Sequence, residues 1–316
     1  MFPPIEPFRT GHLRVEDGST IYWEASGNPA GKPGLFLHGG PGAGVMGRYR
    51  GHFDPDRYLI VSLDQRGCGR SRPRVNGPGA DLAGNTTQTI ISDLEELREH
   101  LEIAAWLVVG VSWGTTLGLA YAQAHPERVT ELVLAAVTTT TKQEVDWIVE
   151  DMRRIFPEKW EAFEKAADRK PNQRLIDAWY ERITHPERGV REQAALDWCL
   201  WEDVHVSLGT ASGPNPLYDD PEFRMVFATL VIHYWRHAAF LDEPGSEENM
   251  KRIAHIPGVL IHGRRDISSP LQTAWDLHKR WPASEFIVIE EEGHGGSMMA
   301  EAVNKAVARF GKSPAS

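Results

Sequence analysis

One serine, one aspartate and one histidine of this 316-residue chain sit in settings that could make a nucleophile. Ser112 is the middle of Gly110-Val111-Ser112-Trp113-Gly114, between the apolar run Leu107-Val108-Val109 and a helix-like pattern that begins at Leu117. A strand that turns this sharply into a helix leaves the serine hydroxyl exposed at the bend, over a helix N-terminus that favours negative charge. Glycine at both flanks lets strand and helix pack where a Cβ would intrude. A serine hydroxyl is a poor nucleophile unless a base takes its proton and an acid orients that base. Asp266 and His294 follow Ser112 in chain order, each on a loop after a late apolar strand. The plainer role for Asp266 is a helix cap, since Ser268 and Pro270 follow it. His294, in Gly293-His294-Gly295-Gly296, differs from the structural-looking His100, His125 and His278. Acyl transfer also needs two backbone N–H groups where the oxyanion develops. Trp113 supplies one, and Gly40 of His38-Gly39-Gly40-Pro41-Gly42 is the candidate for the other, with His38 as scaffold.

Elements that position these residues are legible as a rhythm. An Asp17-Gly18 turn between alternating runs predicts an antiparallel hairpin near the start. Leu35-Phe36-Leu37, Tyr58 to Leu63, Leu107 to Val109 and Glu131 to Val137 read as short buried strands, with a helical pattern over 89–101. Strands alternating with helices, and polar residues after the strand ends, predict a doubly wound, mostly parallel α/β sheet. The rhythm stops near Thr138. Residues 139–253 carry amphipathic helical patterns and six of the eleven tryptophans, which predicts a helical cap inserted into a core of 1–138 and 254–316. Strands resume at Val259-Leu260-Ile261 and Phe286 to Ile289, with helices expected over 270–280 and 298–310.

Composition narrows the function classes. A net charge of −10 with no basic block argues against nucleic acid or an anionic membrane as partner. Two cysteines, Cys68 and Cys199, are no disulfide framework. The N-terminal residues lack the basic and apolar regions of a signal peptide, and no apolar run reaches membrane-span length. A soluble cytoplasmic protein is expected. No metal-ligand cluster stands out, the glycine loops match no nucleotide motif, and no cofactor is expected.

Taken together, the motifs resemble those of the prolyl iminopeptidases, serine aminopeptidases of the α/β-hydrolase fold that release N-terminal proline. The shared stretches are His38 to Gly42, Asp64-Gln65-Arg66-Gly67-Cys68-Gly69-Arg70-Ser71, Gly110 to Gly114, His125-Pro126-Glu127-Arg128-Val129 and Gly293 to Gly296. The resemblance implies Ser112 as nucleophile, Asp266 as acid, His294 as base and a small peptide or acyl-amide or ester substrate. It also implies two cap glutamates around the substrate amine. Trp201-Glu202 matches the first, with Glu202 as the carboxylate and Trp201 beside it. At the second, in Val231-Ile232-His233-Tyr234-Trp235, Val231 stands where glutamate is expected, with Tyr234 nearby. That departure bears on selectivity. It leaves room for a same-fold esterase, amidase or acyltransferase acting on an acyl group without an amine. A non-catalytic ligand-binding relative is a further alternative, opposed by the intact Ser112, Asp266 and His294.

Overall fold

The computed structural model describes residues 1–76, 81–208 and 213–312. Eight strands form one sheet in the order β1-β2-β4-β3-β5-β6-β7-β8. They are β1 (Arg9–Arg14), β2 (Thr20–Gly27), β3 (Lys32–Leu37), β4 (Tyr58–Leu63), β5 (Trp106–Val111), β6 (Val129–Ala135), β7 (Gly258–Gly263) and β8 (Ser284–Ile289). The pairings β1·β2 and β2·β4 are antiparallel; every other neighbouring pair is parallel. The predicted hairpin is therefore the edge of a mostly parallel sheet. Strand order reverses at β3, whose neighbours are β4 and β5, so the loops leaving β3 and β5 meet at a switch point of the kind that opens a crevice.

Helices α1 (Thr87–His100), α2 (Trp113–Ala124), α9 (Leu271–Arg280) and α10 (Ser297–Phe310) flank the sheet. Helix α1 begins where Thr86 caps the Thr89 N–H, and it buries Ile90, Ile91, Leu94 and Leu97 at helical spacing. One apolar core packs these residues with Leu117, Val108 and Leu134 on one face of the sheet. A second core joins Val109, Val133 and Ile261 to Val303, Val307 and Phe310 of α10 on the other face. Both faces of the central strands are covered, which is why those strands read as continuous apolar runs rather than alternating ones.

Between β6 and β7 the described residues hold helices and no named strand: α3 (Lys142–Val149), α4 (Pro157–Ala167), α5 (Leu175–Ile183), α6 (Arg188–Val206), α7 (Pro221–Arg236) and α8 (Glu247–Arg252). Helix α3 opens with a capping box in which Thr141 and Glu144 satisfy each other's backbone N–H groups. Trp160, Trp179, Trp198, Trp201 and Trp235 form the centre of a separate core with Phe163, Leu175 and Ile232. Trp147 is different: its indole N–H donates to the Ile267 carbonyl at 2.7 Å, tying α3 to the loop after β7. No helix of the described residues is long and apolar enough to cross a membrane.

Candidate active site

The turn from β5 into α2 is as tight as the two glycines suggest. A Cβ on Gly110 would collide with the Gly114 carbonyl, and one on Gly114 with the Leu37 carbonyl. Ser112, between them, is held at φ 55° and ψ −126°, a region that residues with a Cβ rarely occupy. The strain lifts its hydroxyl off the sheet, where Ser112 Oγ–H donates to His294 Nε2 at 2.9 Å. His294 Nδ1–H in turn donates to Asp266 Oδ2 at 2.8 Å. Three residues separated by up to 182 positions are thus joined in one hydrogen-bonded line.

Each member is fixed by its own loop. Asp266, buried after β7, accepts the Ser269 N–H on Oδ1 at 3.0 Å. Its second neighbour is His262 Nε2 at 3.5 Å. The tautomer of His262 is set by its surroundings: Nδ1 accepts the Val137 N–H, so Nε2–H donates, here to the Ser269 carbonyl at 2.7 Å. The His294 loop is closed by Glu292, whose carboxylate accepts the Met298 and Met299 N–H groups at the start of α10, both at 2.8 Å. Burial alone would hold the His294 pKa down and push Asp266 up. The charge and hydrogen bond between them outweigh it, so His294 lies above its ordinary value and Asp266 below.

The loop after β3 lies against Ser112: a Cβ on Gly39 would stand 3.2 Å from Ser112 Cβ. Gly40 lines the same cleft as Ser112 and Trp113. Among the described residues, neither the Gly40 N–H nor the Trp113 N–H, first of α2, donates to another backbone carbonyl. Gln65 connects the two sides. It accepts the Trp113 indole N–H at 2.9 Å, donates its amide to the His38 carbonyl at 3.0 Å, and donates its own N–H to His38 Nε2 at 3.1 Å. His38 Nδ1–H donates to the Gly39 carbonyl at 2.9 Å, so this buried imidazole holds the loop's shape.

The cleft above these groups is narrow and partly open to solvent. Its far wall carries Glu202, His205 and Trp235. Burial pushes the Glu202 carboxyl up to about 8 and holds the His205 imidazole down at about 3. Of the residues expected at a substrate amine, only Glu202 reaches this wall. Trp201 is buried against Phe163 and Phe156, and Tyr234 packs on Trp113 at 4.7 Å between ring centres. Val231 belongs to the helical core, one turn before Trp235. Sequence reasoning passed over Gln65, His205, His262 and Glu292. Gln65 lay inside a motif already singled out; the others carried no local signal. Among the described residues no group of three or more His, Cys, Asp or Glu side chains could hold a metal ion.

Known proteins resemble this chain in sequence and in fold. Residues 35–299 match the model of the alpha/beta hydrolase fold family. A probable proline iminopeptidase of Streptomyces coelicolor is 44% identical, over 99% of this chain and 98% of that protein. A proline iminopeptidase of Xylella fastidiosa is 41% identical over 93% of each chain. Among solved structures, an esterase of Exiguobacterium antarcticum aligns with a TM-score of 0.58 at 21% identity, over 96% of this chain and 99% of its own. A hydrolase of Pseudomonas aeruginosa aligns with a TM-score of 0.64 at 16% identity, over 97% of this chain and 99% of its own. At those identities the structures speak for the fold, while the sequence relatives are far nearer. The chain belongs to the α/β-hydrolase fold family and, within it, to the proline iminopeptidases.

Proposed function

We propose that this protein is a cytoplasmic serine aminopeptidase that releases N-terminal proline from small peptides and arylamides through an acyl-enzyme on Ser112. The observation that carries the reading is the Ser112–His294–Asp266 line facing a cleft whose opposite wall holds a buried carboxylate, Glu202. Relatives about 40% identical that bear the name proline iminopeptidase support the substrate class. The two cysteines, both free and buried, suit a reducing compartment.

Ser112 Oγ attacks the carbonyl carbon of the N-terminal residue as its proton passes to His294 Nε2. Asp266 keeps the imidazole in the accepting tautomer and stabilises the imidazolium that forms. The carbonyl oxygen, now negative, takes the Gly40 and Trp113 N–H groups, whose alignment Gln65 maintains. His294 returns the proton to the departing amine. A water then attacks the acyl-enzyme by the same route in reverse. Glu202 supplies the countercharge that a protonated N-terminus needs on leaving water. Helices α3 to α8 act as a cap that limits the cleft to short N-terminal segments.

A turnover panel of prolyl, alanyl and other aminoacyl arylamides, beside simple acyl esters, tests the assignment. Prolyl arylamide is expected to show the highest kcat/KM, and Ser112→Ala to be folded and inactive. A panel in which acyl esters without an amine match the prolyl substrate refutes it.

A further inference from the structure

The cleft wall carries two adjacent polar atoms that nothing in the described protein satisfies. Glu202 Oε2 and His205 Nε2 are buried and without a hydrogen-bond partner. They stand 3.7 Å apart, too far to bond each other. Both side chains project from α6, three residues apart, so the helix fixes their spacing. Buried polar atoms in folded proteins are nearly always paired. Two bare ones side by side, in the cleft that holds Ser112, mark a place kept for the donors of a ligand.

His205 is held from behind. Its Nδ1 lies 2.7 Å from Ser268 Oγ, in the loop that carries Asp266. With the ring proton on Nδ1, donated to Ser268, Nε2 turns a lone pair toward the cleft. Burial holds the imidazole pKa down at about 3, so the ring is neutral across the working range. The charged groups that face it are Glu202, Asp266 and His294.

We propose that His205 is a specificity residue whose Nε2 accepts one N–H of the substrate's N-terminal cation while Glu202 accepts the other. The inference rests on the aminopeptidase reading above. A protonated N-terminal proline is a secondary ammonium with two N–H donors, and Glu202 Oε2 and His205 Nε2 are two buried acceptors without partners. Charge also balances: one carboxylate and one neutral imidazole cancel a single positive charge, whereas two carboxylates leave an excess. Val231 is then no missing half of the amine site, because a neutral imidazole on α6 makes the second contact.

The test is a cycle between protein and substrate. Wild type, His205→Leu and His205→Asn are assayed on prolyl, N-methylprolyl and cyclopentanecarbonyl arylamides, which share a leaving group and ring size. N-methylation keeps the charge and removes one N–H; the carbocycle removes the amine. Wild type is expected to favour prolyl over N-methylprolyl by at least tenfold in kcat/KM, the range for a hydrogen bond to a charged group. His205→Leu should lose about 10- to 100-fold on prolyl, close the gap to N-methylprolyl, and leave cyclopentanecarbonyl turnover within twofold. His205→Asn, whose shorter amide does not reach the same point, should behave alike and serves if the leucine variant does not fold. Phosphonate titration of Ser112 gives the active fraction of each preparation. A variant that keeps the prolyl over N-methylprolyl gap, or loses equally on all three substrates, overturns the role of His205. A wild type that turns over the carbocycle as well as prolyl overturns the aminopeptidase reading itself.

Discussion

Asp266→Asn separates an orienting acid from a helix cap, and the structure says which way the new amide must turn. Asp266 Oδ1 accepts the Ser269 N–H at 3.0 Å, and Oδ2 accepts His294 Nδ1–H at 2.8 Å. Asparagine has one oxygen for these two donors. If the oxygen stays on Ser269, the NH₂ faces His294 Nδ1, which must give up its proton and accept. The proton moves to Nε2, 2.9 Å from Ser112 Oγ, and the base can no longer take the serine proton. The other rotamer keeps the tautomer but sets the NH₂ against the Ser269 N–H, a buried clash costing about 1–3 kcal/mol. Neither orientation leaves a negative charge for the imidazolium. We expect kcat to fall by roughly 10⁴, about 5.5 kcal/mol at 1.36 kcal/mol per decade, with KM within a few-fold. The pH profile carries a second signature. His294 must be neutral to act as base, and its raised pKa puts the wild-type acid limb of kcat/KM above the ordinary imidazole value of 6.5. Without the Asp266 carboxylate, burial is opposed only by the smaller pull of Glu202, so the limb should move down. Arylamide release across pH, with thermal denaturation as folding control, measures both. A kcat within tenfold of wild type, or an acid limb that stays in place, refutes the role of Asp266.

Two further outcomes follow from the same geometry. Because Ser112 sits at φ 55° and ψ −126°, Ser112→Gly should be more stable than Ser112→Ala by about 1–2 kcal/mol, both inactive; equal melting temperatures would show that the turn stores no strain. Burial pushes Glu202 up to about 8, so below that pH it is protonated and must release its proton to hold a cationic amine. The kcat/KM for prolyl arylamide should therefore climb toward pH 8 along a limb absent for a neutral acyl ester. Glu202→Gln should abolish that limb and lower the prolyl value by tenfold or more; a profile shared by both substrates would remove Glu202 from amine binding.

Features written in consecutive residues were legible without coordinates. A turn too tight for a Cβ is a property of Gly110 to Gly114 themselves, and apolar runs such as Leu107 to Val109 mark strands covered on both faces. Chain order placed Asp266 and His294 after late strands, and helices expected over 270–280 and 298–310 run from Leu271 to Arg280 and from Ser297 to Phe310. Pairings across the molecule were not legible. Gln65, after β4, gains its place only when the loops leaving β3 and β5 bring His38 and Trp113 to it, and His262 only when the chain leaving β6 brings Val137 beside it. The cleft wall was hardest to read because every residue of α7 from Met225 to Trp235 is buried. A helix apolar all round has no periodicity to say which face meets a cavity and which meets its neighbours. So Tyr234 and Val231 could be placed near a substrate by motif alone, whereas packing sends them inward and turns Trp235 to the cleft; on α6, packing likewise buries Trp201 in the helical core and leaves Glu202 and His205 on the cleft wall. Local sterics and burial patterns are carried by the sequence; which side of a buried helix faces the chemistry is decided only when the helices pack.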